Sequence, residues 1–127
     1  TMPVNAKENI FLWRDYRFDK EFLLTEKSRM VFSLQWVSEV MLTDWYNEGI
    51  AGGFDLLIPA LFPFKKKNLI LFGGLTEAKQ YKKVLSIPNV VAIGVGNFLS
   101  YREHAIQDIK KKMIGLPIRE PLYSLEC

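Results

Sequence analysis

Two segments constrain this chain more than any others: Asn68-Leu-Ile-Leu-Phe-Gly-Gly-Leu-Thr-Glu and Asn89-Val-Val-Ala-Ile-Gly-Val-Gly-Asn-Phe. Each is a short apolar run that ends in glycine and leads into a helical pattern. A strand that turns directly into a helix is the unit of a parallel α/β protein. The turn also leaves bare backbone N–H groups at the start of a helix, which is how such proteins hold phosphate. Two consecutive units of this kind point to a (β/α)₈ barrel, whose last two turns share a phosphate site. The chain has 127 residues, whereas a complete barrel needs about 250. The expectation is therefore one domain over residues 1–127, built from part of a barrel.

The rest of the chain extends the pattern. Glu39–Asp44 is an apolar strand, residues 45–53 form a glycine-rich loop, and Phe54–Phe62 is expected to be a helix stopped by Pro63. Leu69–Phe72 is the next strand. Thr76 is the expected N-cap of a helix running to Leu85. Val90–Ile93 is followed by a last helix from Tyr101 or Arg102 to Gly115, a suitable C-cap. Residues 39–115 thus read β–α–β–α–β–α, with right-handed crossovers and a parallel sheet. Before them, Ile10–Trp13 and Glu21–Thr25 flank a charged turn and read as a hairpin. Met30, Val31, Leu34 and Val37 have helical spacing over Ser28–Ser38. Residues 1–9 and 116–127 are expected to be irregular.

Composition excludes several functions. The one cysteine, Cys127, and the one histidine, His104, rule out cysteine zinc sites and histidine pairs. No metal and no cofactor is expected. With no internal disulfide possible, a reducing, cytoplasmic setting is expected. No apolar run approaches the length of a membrane span, and no membrane partner is expected. The runs Lys65–Lys67 and Lys110–Lys112 carry no interleaved aromatic residues. They read as solvated ends of elements, and no nucleic-acid partner is expected.

The chemistry-bearing residues cluster at the strand ends. Gly73 and Gly74 sit where a Cβ would keep a phosphate oxygen from the backbone, and Thr76 adds a hydroxyl. Gly96 and Asn97 offer the same on the next strand. Asp44 ends a strand where barrel enzymes place carboxylates, with a cap or a salt bridge as the plainer role; Glu48 and Gly49 follow in a loop that can reach a ligand, with a solvated loop carboxylate as the plainer role for Glu48. His104 beside Glu103 reads as structural, and Trp13, Trp36 and Trp45 read as core or interface residues.

These segments resemble the cyclase subunit of imidazole glycerol phosphate synthase, a lyase of histidine biosynthesis. Glu39-Val-Met-Leu-Thr-Asp-Trp-Tyr-Asn-Glu-Gly-Ile-Ala-Gly-Gly-Phe-Asp55 is similar to its strand 6 and the loop that follows. Leu69–Gly74 is similar to strand 7, and Ala92–Ile106 to strand 8 and the final helix. The details Gly-Asn-Phe and Glu-His look most like divergent members that serve surface-glycan synthesis with an amidotransferase. The resemblance covers residues 37–115. It implies a half-barrel completed by self-association, most simply as a dimer, with a glutaminase as a possible partner. It also implies that Gly73, Gly74, Gly96 and Asn97 hold one phosphate of a ribonucleotide-type ligand.

The departures are equally specific. The family's two catalytic aspartates lie on strands 1 and 5; strand 1 is absent here, and no motif matches the other. Tyr46 and Ile50 stand near positions where the family has Asp and Thr. No catalytic residue is assigned, and little or no activity is expected from the chain alone. A non-catalytic module that complements another barrel half or docks a glutaminase is the alternative. A sandwich with an N-terminal hairpin is the alternative fold.

Overall fold

The computed structural model describes residues 1–25, 35–96, 99–100 and 103–120. They form a mixed α/β fold: one six-stranded sheet and three helices. The strands are β1 (Met2–Lys7), β2 (Ile10–Asp15), β3 (Lys20–Leu23), β4 (Glu39–Asp44), β5 (Asn68–Phe72) and β6 (Val90–Ile93). The helices are α1 (Leu57–Leu61), α2 (Ala78–Leu85) and α3 (Ala105–Lys111). The sheet order is β3-β2-β1-β4-β5-β6. β1, β4, β5 and β6 run parallel, while β2 and β3 are antiparallel to their neighbours.

The βα part follows the sequence closely. β4 and β6 have the expected bounds, and β5 gains only Asn68. In β4 and β5, alternate residues point to opposite faces. Val40, Leu42, Leu69 and Leu71 are buried on the helix side, whereas Met41, Ile70 and Phe72 are half-buried on the other. Sequential strand order with right-handed crossovers puts α1 and α2 on one face. Ile58, Tyr81, Val84 and Ile109 fill the core there with the strand residues. The opposite face of the sheet carries no helix among the described residues.

Several expectations change. Residues 1–9 do not stay irregular, because residues 2–7 form β1, an interior strand. Met2 and Val4 are buried and alternate with the half-buried Pro3 and Asn5. Pro3 is tolerated for a specific reason. Val4 O accepts a hydrogen bond from Trp45 N at 3.3 Å, so Val4 presents its polar groups to β4 and Pro3 presents its own to β2. The β1–β2 ladder begins only at Val4, so the N–H that proline lacks has no partner to lose.

The hairpin forms as expected, with strands reaching to Asp15 and Lys20. Its antiparallel strands make the sheet mixed rather than the all-parallel half-barrel the sequence suggests. Asp15 accepts hydrogen bonds from Arg17 N at 3.0 Å, Nε at 2.9 Å and Nη2 at 2.6 Å. The Arg17 guanidinium thereby holds the Asp15 carboxyl below its usual range. An edge-to-face contact between Phe11 and Phe62 ties the hairpin to the end of α1, and Phe64 packs edge-on against Phe62 in turn.

α1 is shorter than expected because Asp55 Oδ1 accepts from Leu57 N at 2.8 Å, fixing the start there; Pro59 then lies in the first turn. α2 starts one residue late. Glu77, not Thr76, is its N-cap, in a reciprocal capping box with Gln80. α3 starts at Ala105 after His104 at φ 56°. The helix expected over Ser28–Ser38 falls largely outside the described residues, and residues 35–38 are turn and bend. Residues 116–120 are irregular as expected, and Cys127 lies outside the described residues.

Tyr81 makes a testable contribution to this core. It is fully buried, and its hydroxyl donates to Leu75 O at 3.2 Å. Burial pushes the phenol up to about 12. Since the folded value lies above the unfolded one, the contribution is intact below about pH 10 and is lost as pH rises toward 12. Tyr81→Phe is expected to cost about 1 kcal/mol at neutral pH. It is also expected to flatten the loss of stability between these two values, as read by urea denaturation at several pH values. An unchanged alkaline slope in the variant would exclude Tyr81 as its source.

Candidate functional site

The loops that follow β4, β5 and β6 meet at the C-terminal end of the parallel strands. They enclose a cleft of about 450 Å³. Glu48, Gly49, Ile50 and Ala51 form one wall, Phe72 to Thr76 the floor, and Gly94 and Gly96 the other wall. Gly73, Gly74, Thr76, Gly96, Glu48 and Gly49 are thus brought together. Asn97 lies outside the described residues. Gly94 lines the cleft as part of the Gly-Val-Gly run that the sequence singles out, whereas Phe72 and the backbone of Leu75 were missed.

Gly73 and Gly74 are required by the backbone. Their φ angles are 104° and 72°. A Cβ on Gly73 would lie 2.7 Å from Asp44 O. One on Gly74 would lie 2.8 Å from Phe54 N and 2.9 Å from Asn47 O. The two glycines therefore let the β5–α2 turn press against the β4–α1 loop. The N–H groups of Gly74 and Leu75 have no hydrogen-bond partner among the described residues, and both residues line the cleft.

Thr76 is engaged within the protein. Its Oγ1 accepts from Gly52 N at 2.9 Å, which leaves its hydrogen free to donate elsewhere. Thr76 N and Glu77 N donate to Gln80 Oε1 at 3.2 and 3.3 Å. The first turn of α2 is thus capped by its own side chains, and the free donors lie just before it. Gln80 Nε2 also donates to Gly52 O at 2.9 Å.

Asp44 does not reach the cleft. It is fully buried. One carboxylate oxygen accepts from Asn47 N at 3.2 Å, the other from Asn47 Nδ2 at 2.8 Å and Asp55 N at 2.9 Å. It shapes the loop that carries Glu48 and Gly49 rather than meeting a ligand.

Glu48 is the charged residue of the cleft lining, and it is exposed. With Phe72 and Gly94 it also lines a neighbouring cavity of about 530 Å³ on the helix-free face, together with Met41, Thr43 and Tyr16. The two spaces are therefore contiguous along Phe72. Beside β1, Arg14 lies 4.0 Å over the Trp45 ring and pairs with Asp19. Among the described residues no group of three acidic, histidine or cysteine side chains could hold a metal.

Comparison with family models, with curated proteins and with solved structures finds no match to this chain.

Proposed function

We propose that the chain is a phosphate-binding βα module, a cyclase-like half-barrel without the carboxylates for catalysis. The unpartnered N–H groups of Gly74 and Leu75, on the floor of a cleft built from three consecutive βα turns, carry this reading. Two adjacent backbone donors suit an anionic oxygen. Glu48 repels an anion, but it accepts hydrogen bonds from hydroxyls. The ligand that suits both is a sugar phosphate of the ribonucleotide type, its phosphate on the glycine turn and its hydroxyls toward Glu48. Its body extends over Phe72 into the adjoining cavity.

β1 stands beside β4, where a half-barrel needs its strand 5, and residues 2–7 contain no Asp or Glu. That supports binding without catalysis. The helix-free face, with Met41, Ile70 and Phe72 half-buried, supports completion by a second copy as a dimer. A complementing half or a glutaminase is the alternative partner, and a dilute, well-folded monomer in sedimentation would remove the dimer.

Ribose 5-phosphate is expected to stabilise the protein by about 2.7 kcal/mol at a hundred times its Kd. Glu48→Gln is expected to weaken ribose 5-phosphate about tenfold, through loss of a charged hydrogen bond, and to leave inorganic phosphate unharmed. Thermal unfolding with each ligand measures both effects. No shift at millimolar concentrations of either would overturn the reading.

A further inference from the structure

α3 and the segment after it do not close fully on the edge of the sheet. Between α2, β6 and α3 lies a cavity of about 470 Å³, a size typical of small-molecule sites. β6 contributes Val91 and Ile93 to it, α3 contributes Ile106 and Ile109, and Met113 and Ile118 complete the wall. Hydrogen bonds fix that last part of the wall. Leu116 N donates to Met113 O at 3.1 Å, and Ile118 N donates to Leu116 O at 2.7 Å. The aliphatic lining is open to water, since Val91 is 46% exposed and Ile106 39%. It shares no residue with the cleft at the glycine turns.

The polar side chains of the lining are Tyr81, Lys110 and Arg119. The Tyr81 hydroxyl already donates to Leu75 O. The other two are cations, Lys110 in the last turn of α3 and Arg119 beyond it. Lys110 Nζ donates to Glu120 O at 3.5 Å, which holds the ammonium against the backbone next to Arg119. Among the described residues, no salt bridge joins Lys110 or Arg119 to a carboxylate, and no carboxylate lines the cavity. The cavity is therefore aliphatic along α3 and doubly cationic toward the end of that helix.

We propose that this cavity binds a fatty acid, its carboxylate on Lys110 and Arg119 and its alkyl chain along α3 toward Ile106. An aliphatic wall recognises an alkyl chain by taking it out of water. An arginine takes a carboxylate in charge-assisted hydrogen bonds. A sugar would leave its hydroxyls unpaired against such a wall, and an amine would meet two like charges. The lining follows α3 and its final turn from Ile106 to Met113, about 10 Å at the rise of a helix. An extended chain of about eight to ten carbons, with C–C bonds of about 1.5 Å, covers that distance.

Calorimetric titration of the full chain with hexanoate, octanoate and decanoate, each below its micelle concentration, tests the proposal. Affinity should rise about fourfold with each added methylene. Decanol should bind about tenfold more weakly than decanoate, through loss of the charged hydrogen bonds. The double variant Lys110→Gln, Arg119→Gln should bind decanol and decanoate alike, with its circular dichroism unchanged. Ile106→Glu, which sets a carboxylate at the open mouth, should abolish decanoate binding. No saturable binding of decanoate at millimolar concentration, an affinity independent of chain length, or a double variant that still prefers decanoate would each overturn the proposal. Displacement of decanoate by ribose 5-phosphate would do the same, since it would move the ligand to the cleft. So would binding confined to a chain ending at Glu120, which would assign the cavity to residues 121–127.

Discussion

Gly74→Ala is expected to destabilise the protein by about 2–5 kcal/mol. A left-handed backbone costs a non-glycine residue about 1–2 kcal/mol, and crowding in a packed region adds about 1–3 kcal/mol. Both apply at Gly74. Its φ is 72°, and a Cβ would meet three backbone atoms of the β4–α1 loop at 2.8–3.0 Å. Backbone cannot swing aside as a side chain can, so the loop itself must move. Gly49→Ala is the control. Its φ is 84°, yet nothing lies within 4 Å of the added Cβ, so only the conformational cost remains, about 1 kcal/mol. Urea denaturation of the two variants separates the causes. Equal losses would mean that the close approach of the two loops adds nothing. Gly74→Ala should also abolish phosphate-dependent stabilisation, because the displaced turn carries the free N–H groups.

Asp44→Ala is expected to cost about 3–5 kcal/mol. A buried carboxylate that accepts three hydrogen bonds leaves three donors stranded when it is removed. Two of those donors belong to Asn47 and one to Asp55, at either end of the loop that walls the cleft. The loss should therefore be local as well as global. Hydrogen exchange at the Asn47 and Asp55 amides should quicken more than exchange in β2. Asp44→Asn keeps one acceptor oxygen but turns an NH₂ group toward a donor, and should fall between the two. A cost below about 1 kcal/mol for the alanine variant would show that water replaces the carboxylate.

These two residues also show what could be read from the sequence. Gly73 and Gly74 end an apolar run before a helical pattern, and that local signal placed both the turn and the cleft. The reason each must be glycine was not local, because the atoms that exclude a side chain belong to Asp44, Asn47 and Phe54. Asp44 is a similar case, legible as a ligand residue or as a cap, and its hydrogen bonds make it a cap of its own loop. Its position at a strand end pointed outward to a ligand, whereas its partners lie three and eleven residues ahead. β1 was missed because Pro3, Asn5 and Lys7 mask a two-residue alternation of Met2 and Val4, and because proline in an interior strand needs the particular ladder offset found there. Trp36, which the sequence offers to the core or to an interface, is 83% exposed and so is no core residue.

Gln80 has one more consequence. Its side chain caps the turn that begins its own helix and also holds Gly52 of the preceding unit, whose N–H is held in turn by Thr76. Neighbouring βα units are therefore not interchangeable cassettes. A chimera that imports another protein's β5–α2 segment would have to import its match to residues 47–54 as well. Recombination at a boundary between α1 and β5 should therefore fail.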